Sequence, residues 1–273
     1  MIRLLKRIVT SMVCAIKRIP AQIPVYVPVL QCELLKGRTA LITGGSGGIG
    51  YAIAEAFLTA GAKVIISGRN NDKLAEAVSK LSSKGEISSV QMDNTKPSSF
   101  GEILSGVADF DILVNNAGYV GGGDFGTTSE EGYDKALDTN LRGAYFLSQE
   151  VSKHWIESGV KGNILNICSA SSLRPGDSPY ILSKWGLRAL TVGMAKRLIK
   201  YGIVVNGLAP GCTNTAQFSG DGNIVNAKNP SGRLVTVQEV ANLAVVLVSA
   251  LSRMVVGDIL YVTGGGAITT IDD

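Results

Sequence analysis

The chain has 273 residues, of which 45% are hydrophobic, 18% charged and 6% aromatic, so it can bury a sizeable core built mainly from Ala, Val, Ile and Leu. This composition excludes disorder as the dominant state, and four scattered cysteines with a single histidine, His154, argue against a zinc site, any other metal site or a disulfide scaffold. The net charge is +4, but the chain beyond residue 32 is nearly neutral, so no nucleic-acid-binding face is indicated.

The first segment, residues 1–18, is predicted to be a basic amphipathic helix. At 100° per residue its apolar side chains share one face, and its five basic side chains share the other without one acid. These basic residues are Arg3, Lys6, Arg7, Lys17 and Arg18. Three prolines follow and predict an extended linker that ends near residue 34.

Three interpretations of residues 1–18 stay open. The helix packs on the protein's own surface or at a subunit interface, or it is a cleaved transit peptide, or it attaches to an anionic membrane surface. We favour peripheral membrane attachment, because each basic group near such a surface contributes about 1 kcal/mol. No run of about 18 apolar residues occurs, which excludes an ordinary membrane span, so the rest of the chain is expected to be cytoplasmic.

From Gly37 onward, short apolar runs rich in β-branched residues alternate with helical patterns. The predicted strands are 38–43, 63–67, 88–93, 111–116, 163–169, 202–210 and 258–265. The predicted helices are 49–60, 71–82, a short one near 100, 130–158, 179–200 and 237–251. This alternation predicts an α/β fold with a doubly wound, Rossmann-type parallel sheet of about seven strands in one domain, residues 35–273.

A glycine-rich turn, TGGSGGIG at 43–50, joins the first predicted strand to the first helix. Glycine is needed where the backbone turns tightly and where a phosphate approaches main-chain nitrogens, and a helix N-terminus favours an anion. The flanking strand and helix therefore favour a pyrophosphate cradle, and the absence of a following Lys-Ser or Lys-Thr excludes a P-loop. The predicted binding residues here are Gly44, Ser46, Gly48, Ile49 and Gly50.

The second predicted strand ends in Gly68 and Arg69, without an acid. In a dinucleotide-binding fold an acid at this position binds the ribose 2′-hydroxyl, whereas an arginine pairs with a 2′-phosphate. Arg69 alone is also compatible with an ordinary solvated charge. The missing carboxylate favours NADP(H) over NAD(H) as the cofactor.

Tyr180 and Lys184 lie four residues apart at the start of a predicted helix and therefore share one face. A free phenol has a pKa of about 10, and lowering it by about 3 units needs about 4 kcal/mol of stabilisation of the phenolate, which an ammonium group can supply. Without other motifs, a tyrosine and a lysine with this spacing are commonly an exposed pair on the surface of a helix. Here it follows NNAG at 115–118, Asn140 within a predicted helix and Ser169 at the end of a strand.

Five motifs follow one another along residues 37–267: TGGSGGIG, Asp93, NNAG, NICS with YILSK, and NGLAPGCTNT. Taken in this order, they resemble the one-domain branch of the short-chain dehydrogenase/reductase family. The resemblance implies an NAD(P)-dependent oxidoreductase that transfers a hydride between nicotinamide and a small-molecule carbonyl or secondary alcohol. It implies that Tyr180 is the general acid or base, and that Lys184 lowers the Tyr180 pKa and holds the nicotinamide ribose. Ser169 would bond the carbonyl oxygen, and Asn140 would hold a water linked to Lys184.

The same resemblance implies further cofactor contacts. The residues concerned are Asp93 with neighbouring Asn94, then Asn115, Ala117 and Gly118, and finally Pro210, Gly211 and Thr213. It also implies a homodimer or homotetramer. Trp155 and Trp185 fall on the two longest predicted helices, where subunit contacts and an intramolecular core are equally consistent.

Two departures from the family pattern bear on the site. Ser169 and Tyr180 are 11 positions apart, closer than is usual, so Ser171 and Ser172 become rival hydroxyls. We prefer Ser169 because it ends an apolar strand, which is a rigid mounting. Thr263 stands where the family commonly has Asp before Gly-Gly, which puts one turn contact in doubt.

Two other functions stay open: a sugar epimerase or dehydratase that acts by transient oxidation, and a sensor or scaffold that binds NADP(H) without turnover. The glycine spacing favours the reductases over the first, and Ser169, Tyr180 and Lys184 are not needed by the second.

Cys168 is interpreted as a small buried hydrophobe and His154 as solvated or packed. The segment after Pro210 is polar and poor in aromatics, which argues against a steroid-sized pocket. Sugar-derived, acyl-carrier-linked and small polar ketones remain open.

Overall fold

A computed structural model of the chain describes residues 33–215 and 224–267. The predicted amphipathic helix and all but the last residues of its linker lie outside this range. Within it, no helix is long and apolar enough to cross a membrane.

Seven parallel strands form one sheet in the order β3-β2-β1-β4-β5-β6-β9. Their bounds are β1 Thr39–Thr43, β2 Lys63–Gly68, β3 Ile87–Gln91, β4 Ile112–Asn115, β5 Asn163–Ile167, β6 Val204–Pro210 and β9 Ile259–Val262. The predicted doubly wound sheet is confirmed. The strand order reverses between β1 and β4, which opens a crevice at the carboxyl ends of these strands.

Seven α-helices of the described chain connect these strands. They are α1 Gly48–Thr59, α2 Asn71–Leu81, α3 Phe100–Ser105, α4 Glu130–Leu137, α5 Gly143–Ser158, α6 Pro179–Leu198 and α7 Val237–Val248. Because helices cover both faces of the sheet, β4 and β6 are buried along their whole length. This burial explains the continuous apolar runs in the sequence.

The structure divides the predicted helix 130–158 in two. A π-helical turn, Asp138–Arg142, separates α4 from α5, and the N–H of Gly143 donates to the carbonyl of Asp138. Such turns are rare and occur mostly at functional sites. This turn carries Asn140.

Two further strands of two residues each, β7 Thr213–Asn214 and β8 Val235–Thr236, pair in parallel beside the main sheet. The sequence pattern does not predict them because two residues are too few for periodicity. Thr236 is also the first residue of a capping box with Glu239, which fixes the start of α7.

At the amino edge of the sheet, one arginine ties together the starts of three central strands. Arg38 precedes β1, forms an ion pair with Asp111 before β4, and donates from Nη2 to Asn163 Oδ1 of β5 at 2.9 Å. The other oxygen of Asp111 accepts the N–H of Thr39 at 3.0 Å. The loops of the candidate site lie at the opposite edge of the sheet, where the strands have their carboxyl ends.

The two tryptophans have different environments. Trp155 is 1% exposed and its indole N–H donates to the carbonyl of Phe110 at 2.9 Å, so it belongs to the intramolecular core. Trp185 is 40% exposed. Cys168 is buried, as expected for a small hydrophobe, and His154 is exposed.

Candidate active site

The glycine-rich turn has the shape of an anion cradle. Gly44 and Gly48 adopt φ of +65° and +54°, a left-handed conformation that side chains rarely tolerate. A Cβ on Gly50 would lie 2.5 Å from the carbonyl oxygen of Gly44. Gly47 precedes α1 and no side chain caps this helix, so its first N–H groups face the crevice without a side-chain acceptor. The turn therefore fits a pyrophosphate.

Two residues that the sequence analysis did not name hold this turn in place. The Asn116 side chain donates to the carbonyls of Thr43 and Gly44 at 2.8 Å and 3.2 Å. The Thr43 hydroxyl accepts the N–H groups of Asn116 and Ala117, both at 2.9 Å. Asn116 lies inside NNAG and Thr43 begins TGGSGGIG, so their places in these two motifs are the sequence signal that could have identified them.

Ser46, Gly68 and Arg69 form one end of the crevice. A Cβ on Gly68 would lie 3.7 Å from the Ser46 hydroxyl, so the turn and the tip of β2 are adjacent. Arg69 is exposed, and its carbonyl accepts the side-chain N–H of Gln91 at 2.9 Å. The tip of β2 that carries Arg69 is therefore next to the glycine-rich turn that carries Ser46.

Asp93 and Asn94 follow β3 at the same edge. The Asp93 carboxylate accepts from the N–H and the hydroxyl of Thr95, at 3.0 Å and 2.9 Å, and is half-buried. Asn94 is buried, with its backbone packed against Gly143. These contacts fix the turn whose side chains are predicted to border the adenine.

The side chain of Asn115 points into the core. Its amide donates to Ser148 Oγ at 2.9 Å and to Asn166 Oδ1 at 2.8 Å. A contact between Asn115 and the cofactor would therefore use its main chain. Gly118 lies closer to the catalytic groups, since a Cβ there would stand 3.4 Å from Asn140 Oδ1.

Asn140 is buried, and its side chain is fully engaged by protein groups. Its carbonyl oxygen accepts the N–H of Tyr119 at 2.6 Å, and its amide donates to the carbonyl of Tyr119 and to Ser183 Oγ, both at 2.9 Å. The expected water contact of Asn140 is thus left to its main chain. The π turn places that main chain beside the start of α6.

Among the three rival serines, Ser169 is the one whose side chain acts on Tyr180, where it opposes the rise of the phenol pKa. It also accepts the N–H of Ser171 at 3.1 Å. Ser172 is buried and its hydroxyl donates to the carbonyl of Ser169 at 2.7 Å, so it supports Ser169 from behind. The geometry favours Ser169 over its neighbours.

Burial raises the pKa of Tyr180 above its ordinary value, and the interaction with Ser169 only partly opposes this. Lys184 Nζ donates to the carbonyl of Ile167 at 2.8 Å and lies 6.0 Å from the centre of the Tyr180 ring. Desolvation lowers the pKa of Lys184 to about 8, with nearby Cys168 acting in the opposite direction. In this structure the ammonium donates to Ile167 and burial is the dominant influence on the phenol, and the lowering of the Tyr180 pKa by Lys184 stays a prediction.

Pro210, Gly211 and Thr213 leave the end of β6 and run over the crevice. The N–H of Gly211 donates to the carbonyl of Val262 at 2.9 Å, and the Thr213 hydroxyl donates to the carbonyl of Gly211 at 3.0 Å. Thr215 Cγ2 lies 3.7 Å from where a Cβ on Gly48 would stand. The segment thus approaches the glycine-rich turn from the opposite side.

Thr263, the departure near the C-terminus, contributes its main chain to a turn. Its carbonyl accepts the side-chain N–H of Asn229 at 2.9 Å. The contact therefore does not depend on the residue type at 263. Nowhere in residues 33–215 and 224–267 do three His, Cys, Asp or Glu side chains gather as a metal site requires.

A doubly wound sheet with a glycine cradle at its switch point, and with a Ser, Tyr and Lys beside it, defines a dinucleotide-dependent oxidoreductase. A family model described as Enoyl-(Acyl carrier protein) reductase matches residues 44–267. The chain belongs to the short-chain dehydrogenase/reductase family and is an NAD(P)-dependent enzyme that interconverts carbonyls and alcohols.

Similar proteins include relatives with different named substrates. Gluconate 5-dehydrogenase of Gluconobacter oxydans is 35% identical over 247 residues, which cover 85% of this chain and 95% of that protein. The 3-oxoacyl-[acyl-carrier-protein] reductase FabG of Rickettsia bellii is 34% identical over 237 residues, covering 85% and 97%. A crystal structure of gluconate 5-dehydrogenase from Burkholderia cenocepacia, in complex with NADP and tartrate, has a TM-score of 0.79 at 33% identity, covering 89% and 100%.

Proposed function

We propose that this chain is an NADPH-preferring carbonyl reductase or alcohol dehydrogenase in which Tyr180 exchanges the proton at the substrate oxygen. The observation that carries the proposal is the grouping of Ser169, Tyr180 and the buried Lys184: the Ser169 hydroxyl acts to lower the Tyr180 pKa, and Lys184 Nζ lies 6.0 Å from the centre of the Tyr180 ring. Two hydroxyls at one point can bind a single carbonyl oxygen. The raised pKa of Tyr180 keeps the phenol protonated at neutral pH, as a proton donor must be.

The residues proposed to hold NADPH follow the crevice from end to end. They are Gly44, Ser46, Gly48, Ile49 and Gly50 at the phosphates, Arg69 at the 2′-phosphate, Asp93 and Asn94 at the adenine, Asn115, Ala117 and Gly118 after β4, Tyr180 and Lys184 at the ribose, and Pro210, Gly211 and Thr213 above the nicotinamide. Bound there, the cofactor supplies the hydride that reduces the carbonyl carbon. The NADP of the Burkholderia complex supports this cofactor.

The chain's own residues supply the proton and the orientation. Ser169 donates a hydrogen bond to the carbonyl oxygen, and Tyr180 transfers its phenolic proton to the same oxygen, so that one hydride and one proton complete the alcohol. Lys184, charged below pH 8, stabilises the resulting phenolate and returns a proton to it. Asn140 fixes Tyr119 and Ser183 and thereby the start of α6.

The experiment is a panel of ketones with NADPH and the purified chain, followed by loss of nicotinamide absorbance. Tyr180→Phe should lower turnover by at least about 100-fold while NADPH still binds. Ser169→Ala should also lower it, whereas Ser171→Ala is the matched control and should not. NADPH binding with no oxidation across the panel would favour the sensor or scaffold alternative.

We also propose that the enzyme is a homodimer or homotetramer. Exposed apolar side chains on α5 and α6 support this, because large exposed apolar patches commonly mark protein–protein contacts. They are Tyr145, Phe146, Leu182, Trp185 and Val192. Light scattering during size-exclusion chromatography tests it.

For residues 1–18 we propose peripheral contact with an anionic membrane, on the sequence pattern alone.

A further inference from the structure

The turn between β2 and α2 contains two residues that belong to neither element, Arg69 and Asn70. Arg69 is exposed and its side chain has several rotatable bonds, so the region that its guanidinium reaches depends on how the main chain of this turn is held. β2 ends at Gly68, whose carbonyl accepts the N–H of Met92 at 2.9 Å. That bond fixes the end of the strand, and Arg69 lies one residue beyond it.

Gln91, the last residue of β3, braces this turn with both ends of its side-chain amide. It pairs with Gly68 in the register of β2 and β3. Its Nε2 donates to the carbonyl of Arg69 at 2.9 Å, and its Oε1 accepts from Nδ2 of Asn71 at 3.2 Å. The carbonyl of Arg69 and the N–H of Asn70 belong to one planar peptide group, so the bond to Gln91 orients both.

The two residues of the turn are held by different elements. Asn70 is held by α2, because its side chain accepts the N–H of Lys73 at 2.9 Å and its carbonyl accepts the N–H of Leu74 at 3.1 Å. The carbonyl of Arg69 is held by Gln91. Loss of the Gln91 amide should therefore release Arg69 and leave the start of α2 in place.

The brace requires an amide side chain. The group at position 91 donates to a carbonyl at one end and accepts from an amide at the other, and glutamine supplies both functions. A methionine has nearly the same length and supplies neither. Gln91, Arg69 and Asn71 are all exposed, so loss of these bonds leaves no buried polar group unsatisfied. We therefore expect the fold to tolerate a substitution of Gln91.

We propose that Gln91 is a positioning residue for cofactor selection: it holds the main chain of Arg69 so that the guanidinium meets the 2′-phosphate of NADPH. This inference rests on the proposed function, which places that phosphate at Arg69. NADH has no 2′-phosphate and gains nothing from the brace. Gln91 therefore acts on the preference between the two cofactors and not on the binding of the parts that they share.

The first test is a fluorescence titration of the wild type and of Gln91→Met with NADPH and with NADH. In the variant the affinity for NADPH should fall about three- to tenfold, the effect of one lost hydrogen bond, while the affinity for NADH stays unchanged. The unchanged NADH affinity also shows that the crevice is intact. Ser89→Ala is the matched control, because Ser89 is exposed on the same face of β3 two residues earlier, and it should keep both affinities.

A second test shows whether Gln91 acts through Arg69. Calorimetry measures the binding of adenosine 2′,5′-bisphosphate and of AMP, which differ only in the 2′-phosphate. Gln91→Met should weaken binding of the bisphosphate in the wild-type background and have no further effect on it in Arg69→Ala, whereas AMP binding should not change. An equal loss of bisphosphate affinity in both backgrounds, or equal losses for NADPH and NADH, would overturn the proposal.

These measurements need no turnover, and they separate this inference from the proposed function. A wild type that binds NADH as tightly as NADPH would refute the proposed cofactor preference and this inference with it. A preference for NADPH that is present in the wild type and undiminished in Gln91→Met would overturn the role of Gln91 alone and leave the proposed function standing.

Discussion

At the scale of single residues, Lys184 links the proposed catalysis to the stability of the fold. Its ammonium is buried and its pKa is lowered to about 8 from 10.5, which corresponds to about 3 kcal/mol of unfavourable desolvation at neutral pH. A buried charge that destabilises the fold is typical of functional sites. We therefore expect the folded state to be more stable without this charge.

Lys184→Met should therefore abolish turnover and raise the free energy of unfolding by about 1–3 kcal/mol at pH 7. Above pH 8 the folded protein loses this proton while the unfolded chain keeps it up to about pH 10.5, so wild-type stability recovers with rising pH. The advantage of the variant should be full below pH 8 and fade above it. Urea unfolding of both proteins at pH 7 and pH 9.5 measures this, and a variant that is destabilised at pH 7 would contradict it.

The proposed preference for NADPH over NADH depends on Gly68 and Arg69. Gly68→Asp places a carboxylate where a Cβ has room, 3.5 Å from Leu74 Cδ2, and beside Ser46. The wild type should bind NADPH more tightly than NADH by about 1–3 kcal/mol, and the variant should reverse the order because the carboxylate repels the 2′-phosphate. Fluorescence titration with both nucleotides tests it. Gly68→Asn has nearly the same shape without the charge, so an equal reversal there would exclude the electrostatic explanation.

At the scale of elements, the start of α7 depends on a charged cap. Arg233 binds both oxygens of Glu239, at 2.9 Å and 2.7 Å, and Glu239 also accepts the N–H of Thr236 at 2.9 Å. These bonds lower the pKa of Glu239 to about 2. The same cap holds β8, and through it β7 and Thr213.

Glu239→Gln should destabilise the fold by about 1–2 kcal/mol at pH 7, because the amide cannot accept two bonds from the guanidinium. A carboxyl with a lowered folded pKa stabilises above its unfolded value, near 4.5, and loses that contribution as the pH falls towards 2. The difference between variant and wild type should therefore shrink below pH 4.5. Chemical unfolding of the two proteins at pH 7 and pH 4 checks it, and a pH-independent difference would speak against the ion pair.

The elements that the sequence predicts are those with long periodic patterns. The sequence pattern predicts all seven strands of the main sheet, and the signal is most continuous in the central strands, such as β4 and β6, which are buried along their whole length. The motifs also predict the candidate site residues, including Tyr180 and Ser169, and their roles stay predictions. The π turn at Asn140 and the β7–β8 pair were missed, since main-chain hydrogen bonds over a few residues leave no periodicity. The bond of Lys184 to Ile167 was missed because it joins two elements.

At the scale of the whole molecule, the two edges of the sheet differ in function. Arg38 and Asp111 fasten the amino ends of the central strands, whereas the carboxyl ends hold loops rich in glycine. A rigid sheet with binding loops on one edge is the usual division in this class of fold. The N-terminal segment joins the chain at the amino edge, where Lys36 and Arg38 lead into β1.

The whole chain should sediment with vesicles that contain anionic lipid at low salt, and a chain beginning at Gly37 should not. The expected loss follows from removing five basic groups and one apolar helical face. Neutral vesicles provide the control. Equal sedimentation of both chains, or no sedimentation at low salt, would contradict membrane contact. It would favour the other two interpretations of residues 1–18, a helix packed against protein or a cleaved transit peptide.

The π turn at Asp138–Arg142 acts as a phase shift between two helices. Each α-helical residue advances the side chains by 100°, and the wider turn accommodates one residue more than an α-helical turn would. The side chains of α4 that face α6 are therefore rotated about the helix axis relative to the side chains of α5 that face the sheet. Deleting any single residue from this turn would restore a regular helix and rotate every side chain of one half relative to the other, Trp155 included. We therefore expect a one-residue deletion in this turn to cost more stability than a one-residue change of length in an exposed surface loop.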